Sequence, residues 1–127
     1  MSKTKRVVIT GMGIVSSIGN NVEAVKNSLI NQKSGIVSSE IYKEMGFRSQ
    51  IHGDIKINLE DHIDKKQLRF MGAGSAYAVL SMEQAIIDAG LTNEEVSNPK
   101  TGLIAGSGGP STANLLQAFD IAREKGP

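Results

Sequence analysis

The chain contains no cysteine in its 127 residues. Disulfides, thiolate metal sites and a cysteine nucleophile are therefore excluded from these residues. Long apolar runs are also missing. The basic start Met1-Ser2-Lys3-Thr4-Lys5-Arg6 is followed by a short apolar stretch that Gly11 and Gly13 soon interrupt. A secretory signal needs about 7–15 apolar residues and a membrane span about 20, so no membrane attachment is expected and a cytoplasmic location is the default. Excess charge of either sign is absent too: 14 basic residues stand against 13 acidic ones, a net of +1. Bulk nucleic-acid binding normally shows a strong basic excess, so no nucleic-acid partner is expected. A local basic patch is compatible with that balance.

What is present reads as an ordinary globular chain, 39% apolar and 21% charged. The length suits one domain. Val7-Val8-Ile9-Thr10 is a β-branched run ending at Gly11, the pattern of a strand buried on both faces. The glycine-punctuated loop 11–19 follows, and Asn20 or Asn21 can then cap a helix to about Asn31, with Val22, Val25 and Leu29 on one face. Lys33-Ser34-Gly35 ends it. Residues 36–60 suggest an irregular excursion with a strand or two. A helix of about 25 residues is expected from Asp61–Asp64 to Ala89, with Asp64 as cap and Gly90 just past the end.

The middle of that helix, residues 71–80, carries no charge and is rich in small side chains, which predicts burial between other layers. Gly72 and Gly74 cost roughly 1 kcal/mol each relative to alanine within a helix, a cost explained if another backbone approaches closely. Thr92-Asn93-Glu94-Glu95 starts a short helical turn. Thr101-Gly102-Leu103-Ile104-Ala105 is a second candidate buried strand, and Ser111 or Thr112 caps a last helix to about Glu124. The order of strands and helices predicts an α/β layered architecture with parallel pairing.

Gly11-Met12-Gly13, between a strand and a helix, invites a dinucleotide-binding reading, and with it a nucleotide-binding oxidoreductase as one alternative function. The third glycine of that fingerprint falls on Ser16, and the gap to the helix is too long, so a structural connection is favoured. Gly106-Ser107-Gly108-Gly109 lacks the Lys of a phosphate-binding loop. It serves either as a tight turn or as backbone brought close to a ligand at a strand's carboxyl end. His52 and His62 have no ligand or carboxylate pattern around them, Ser16, Ser17 and Ser107 lack the setting of an activated nucleophile, and no metal site or reaction can be assembled.

Lys65, Lys66 and Arg69 are three and four residues apart, so a helix would project all of them from neighbouring surface. Cations are mildly unfavourable near a helix start, where the dipole is positive. The group is either a solvated first turn or a face for an acidic partner.

Three blocks bear a wider likeness. Lys5-Arg6-Val-Val-Ile-Thr-Gly-Met-Gly-Ile-Val-Ser-Ser-Ile-Gly-Asn20, then Arg69-Phe-Met with Ser75 to Gly90, and Gly102-Leu-Ile-Ala-Gly-Ser-Gly-Gly109 resemble bacterial β-ketoacyl-acyl carrier protein synthases, synthase I more than synthase II. The resemblance implies the thiolase-like fold of αβαβα layers, with residues 1–127 as the N-terminal part of its first half. It implies a homodimer that joins an acyl group to malonyl-acyl carrier protein with loss of carbon dioxide, the substrates being acyl and malonyl thioesters, and no cofactor. A cysteine and two histidines do that chemistry in the family, and they are expected after residue 127; no catalytic residue is assigned here. A non-catalytic relative of the condensing enzymes is the second alternative.

By the same resemblance, Lys65, Lys66 and Arg69 belong to the surface that docks the acidic carrier protein, with Arg48 beside them and Arg123 and Lys125 near further docking positions. Gly108 and Gly109 correspond to the loop at the acyl pocket. Pro110 departs from the glycine expected there.

Overall fold

A computed structural model describes residues 4–126. Six helices and one small sheet follow one another in these residues: α1 (Val22–Ile30), β1 (Ile36–Ser38), α2 (Glu40–Glu44), β2 (Ile51–Gly53), a 3-10 turn (Leu59–Asp61), α3 (Lys65–Leu68), α4 (Ala73–Asp88), α5 (Asn93–Val96) and α6 (Thr112–Lys125).

Most helix starts carry side-chain caps. Asn21 accepts the Ala24 N–H at the start of α1, Ser39 the Tyr42 N–H at α2, and Ser111 the Asn114 N–H at α6. Thr92 and Glu95 form a reciprocal capping box at α5, and the hydrogen bonds from Thr92 hold the Glu95 carboxyl below its ordinary range. At the far end of α4, Gly90 takes φ +66, the Gly90 N–H donates to Ile87 O and the Leu91 N–H to Ile86 O. This pair of bonds is a Schellman close, satisfying two carbonyls the helix would leave orphaned. The same close ends α1, with Gln32 at φ 53 in place of glycine. The expected end at about Asn31 coincides with the C-cap, though the residue type at position 32 did not announce the left-handed backbone.

The excursion over 36–60 is a hairpin-like insertion. β1 and β2 pair antiparallel, Val37 opposite His52, and α2 lies between them in sequence. Tyr42 on α2 packs its ring 5.3 Å from that of Phe47 and 5.8 Å from that of His52.

Three expectations need correction. The single helix expected from residue 61–64 to 89 is broken in two. After α3 the Phe70 and Met71 N–H groups donate three residues back, tightening the chain, and Gly72 then takes an extended conformation (φ −78, ψ 161) as the N-cap of α4. Gly72 is therefore a helix boundary rather than a helix interior, and close approach occurs there: a Cβ on Gly72 would lie 2.7 Å from Ser111 Cβ. Gly74 has no such neighbour.

Secondly, residues 7–10 and 101–105 form no regular element and join no ladder among the described residues, whose one sheet is antiparallel rather than parallel. Val7 is 93% exposed and Ile104 97%. Their β-branched composition suits a sheet interior, and composition alone supplies no neighbour for the backbone N–H and C=O groups. Thirdly, α4 is only partly enclosed. Ala76 and Leu80 are buried with Ile63, and Val15, Ile57, Leu68 and Met71 pack around them, while Ala78 and Met82 on the same helix are exposed. The accessible surface, 10991 Å² for 13.5 kDa, compares with roughly 6,500 Å² for a compact monomer of that mass.

Segment 11–14 is held against α4 by two long-range hydrogen bonds. Met12 N–H donates to Asp88 Oδ2 at 2.9 Å, and Ile14 N–H to Gln84 Oε1 at 3.1 Å. An extended chain repeats every two residues in about 6.7 Å and a helix every four in about 6 Å, so two alternate amides meet two side chains one turn apart. The residues between must bring their backbone onto the helix. A Cβ on Gly11 would overlap Ala85 O, and one on Gly13 would overlap Ser81 O. We expect Gly13→Ala to destabilise the protein by about 1–3 kcal/mol through overpacking, read as a fall in the urea midpoint at unchanged m-value. An unchanged midpoint would contradict this close contact.

Candidate functional site

The basic cluster is built on a short, locally braced segment. Asp64 accepts the Lys66 N–H at 2.8 Å and starts α3. Ile63 is buried in a cluster with Ala76 and Leu80, and Leu59 and Leu68 pack against that cluster, which fixes the 3-10 turn against α3. With Leu59, Ile63 and Leu68 turned inward, Lys65, Lys66 and Arg69 are left exposed on the outside.

α3 is a single turn, so its first turn is also its last, and Arg69 is its C-cap. The expected clash between cations and the start of a long helix dipole therefore lapses; the dipole argument does not require an acidic partner.

A carboxylate does sit among these cations, and it comes from the chain itself. Lys65 Nζ lies 2.9 Å from Glu60 Oε2. The hydrogen bond to Glu60, then its charge, raise the Lys65 pKa above the ordinary lysine value. Glu60 is five residues before Lys65 and outside α3, a spacing with no helical signature, so sequence reasoning had no signal for this pair.

The other expected docking residues occupy separate elements. Arg48 is exposed in the loop between α2 and β2. Arg123 and Lys125 are exposed in the last turn of α6, where cations are favoured by the negative end of the dipole. Gly108 and Gly109 lie in an exposed loop in which Ser107 Oγ–H donates to Gly109 O at 2.8 Å, with Pro110 leading into α6. A Cβ at either glycine would meet nothing within 4 Å.

Gly11 and Gly13 have a structural use. Both present their Cα to α4, and the intervening Met12 amide is taken by Asp88. The surface a pyrophosphate would need is filled by a helix flank. The His52 ring lies tilted beside that of Tyr42, and His62 follows the 3-10 turn, its N–H bonded to Leu59 O. Among the described residues no group of three or more His, Cys, Asp or Glu could hold a metal ion.

Beside segment 11–14 an open apolar groove of about 920 Å³ runs between α1 and α4, its walls including Val22, Val25, Leu29 and Met82, with Ile104 at its edge. The apolar face foreseen on α1 therefore exists and points into this groove.

A family model described as "Beta-ketoacyl synthase, N-terminal domain" matches residues 4–126. The chain belongs to the β-ketoacyl synthase family. It is 54% identical over 119 residues to 3-oxoacyl-(acyl-carrier-protein) synthase 1 of Haemophilus influenzae, covering 94% of this chain and 29% of that protein. The corresponding synthase 1 of Escherichia coli is 52% identical over 124 residues, covering 97% and 30%. A synthase 2 of Staphylococcus aureus is 36% identical over 132 residues, covering 100% and 31%, so the likeness to the synthase 1 group is the stronger one. The chain spans about 30% of the length of the curated relatives it matches.

Among solved structures, a β-ketoacyl synthase from Burkholderia phymatum superposes with a TM-score of 0.77 at 29% identity, over 98% of this chain and 31% of that one. The fold is the N-terminal portion of the thiolase-like α/β fold. No helix of the described residues is long and apolar enough to cross a membrane.

With the Gly11–Gly13 face covered by α4, adding the protein to NADH or NADPH should leave the nicotinamide fluorescence unchanged. Saturable micromolar binding would instead favour the dinucleotide reading.

Proposed function

We propose that this chain is the N-terminal segment of a decarboxylating condensing enzyme, which joins an acyl group to malonyl-acyl carrier protein in fatty-acid elongation. The match to the β-ketoacyl synthase N-terminal domain over residues 4–126 carries the reading. The identity above 50% to two proteins named 3-oxoacyl-(acyl-carrier-protein) synthase 1 supports the subtype. The exposed apolar segments 7–9 and 103–104 and the open groove beside α4 fit a chain that forms one layer of a larger molecule.

In this reaction a cysteine thiolate takes the acyl group as a thioester. Decarboxylation of the malonyl thioester yields an enolate, which attacks that thioester and releases the cysteine. These residues hold no cysteine, and neither His52 nor His62 fits the role of a family histidine, so the segment supplies binding rather than bond-making. Lys65, Lys66 and Arg69 form the face for the acidic carrier protein, joined by Arg48, Arg123 and Lys125. Gly108 and Gly109 belong to the acyl pocket, where a larger side chain would shorten the accommodated chain. The enzyme works as a cytoplasmic homodimer without a cofactor.

The three cations of the α3 face are exposed, so each contributes modestly and mainly to encounter and affinity. Reversing Lys65, Lys66 and Arg69 to glutamate in the full-length enzyme should raise KM for carrier-linked substrate by about tenfold or more, with a smaller change in kcat. An unchanged KM would remove the docking role.

A further inference from the structure

The segment from Glu60 to Arg69 is electrically balanced. Glu60, Asp61 and Asp64 face Lys65, Lys66 and Arg69, three carboxylates against three cations. A surface that receives an acidic protein through these residues depends on where the carboxylates are spent, because the formal charge of the segment is zero.

Two of the carboxylates have local structural tasks. Asp64 Oδ1 accepts the Lys66 N–H at 2.8 Å, and Asp61 Oδ1 accepts from Asn58 Nδ2 at 2.9 Å. Glu60 is different, because its Oε2 lies 2.9 Å from a cation of the face itself, Lys65 Nζ. The turn that carries Glu60 is tied to the chain before α3 by the His62 and Ile63 N–H bonds to Leu59 O, and by the packing of Leu59 on the cluster that buries Ile63. The carboxylate is therefore held beside the face by backbone and core. No salt bridge of this kind is formed by Lys66 or Arg69 among the described residues.

We infer that Glu60 masks Lys65, so that Lys66 and Arg69 receive an acidic partner and Glu60 sets how tightly the face binds it. This rests on the proposed carrier-docking role of the α3 face and adds a residue that tunes it. The pair is exposed, 77% for the Lys65 side chain and 56% for Glu60, so an incoming carboxylate can compete for the ammonium without unfolding anything. The competition is an exchange of one ion pair for another, and its net effect on affinity is small while Glu60 keeps its charge. Partners with carboxylates spaced for Lys66 and Arg69 bind; partners that need Lys65 must first displace Glu60. The mask therefore works as a selectivity element.

The test is a double-mutant cycle in the full-length enzyme, with holo acyl carrier protein as the probe and affinity read by fluorescence anisotropy at low ionic strength. Glu60→Gln keeps the shape and removes the charge, and it should tighten binding about two- to fivefold. Lys65→Gln should weaken binding about two- to fivefold once Gln is at position 60, and by clearly less in the native background, where Glu60 already occupies the ammonium. Equal effects of Lys65→Gln in both backgrounds, or no change with Glu60→Gln, would overturn the mask.

A Lys66→Glu/Arg69→Glu enzyme separates the two claims. If it binds the carrier as the native enzyme does, the docking face and the mask fall together. Weakened binding there, with Glu60→Gln neutral, removes the mask alone.

Discussion

The contact of an extended chain with a helix flank, at Met12 and Ile14 on Asp88 and Gln84, is the constraint on which the rest of these residues depends. Gln84 makes it a three-way joint. Its Oε1 accepts from Ile14 N–H, and its Nε2 donates to Asn20 O at 2.8 Å. Asn20 Nδ2 in turn donates to Lys56 O at 2.7 Å, so one glutamine ties the strand-like segment, the entry to α1 and the chain beyond the small sheet to the same helix turn. Ser28 Oγ–H closes the arrangement from α1, donating to Ile18 O at 2.6 Å. The glycines at 11 and 13 follow from this: a side chain there would separate the backbone from α4 and lose the amide bonds. The motif that most resembles a cofactor fingerprint is a packing device.

Local chemistry in the sequence reached the helix starts. Asn21, Ser111 and the Thr92–Glu95 pair each cap where their residue types suggested, and Gly90 closes α4 with a left-handed backbone. The irregular excursion over 36–60 was legible as well, though not α2 inside it. What the sequence could not carry was long-range. Val7–Thr10 and Leu103–Ala105 have strand composition, but pairing depends on a neighbour that composition does not name. The break at Phe70–Gly72 was hidden for a related reason. The chain turns where Gly72 comes close to Ser111, a contact 39 residues away in sequence that no local pattern names.

The candidate docking face shows the same division. Its cations were visible at helical spacing, and Lys65, Lys66 and Arg69 are all exposed on α3 and its C-cap. The expected reason for an acidic partner, cations set against a helix dipole, does not survive a one-turn helix capped by Asp64. The balancing carboxylate of Glu60 lay at an uninformative spacing and emerges only from the packing of Leu59 and Ile63. A patch that reads as basic is thus nearly neutral as a segment. Its action on a partner is then governed by geometry rather than by total charge.

α3 and its flanks are the face proposed above for an acidic carrier. Amide hydrogen exchange of the full-length enzyme, with and without saturating holo acyl carrier protein, tests this most directly. Slower exchange concentrated in residues 60–70, with α1 unchanged, is the predicted result. Exchange in 60–70 that is the same with and without the carrier, while protection appears elsewhere, would contradict it.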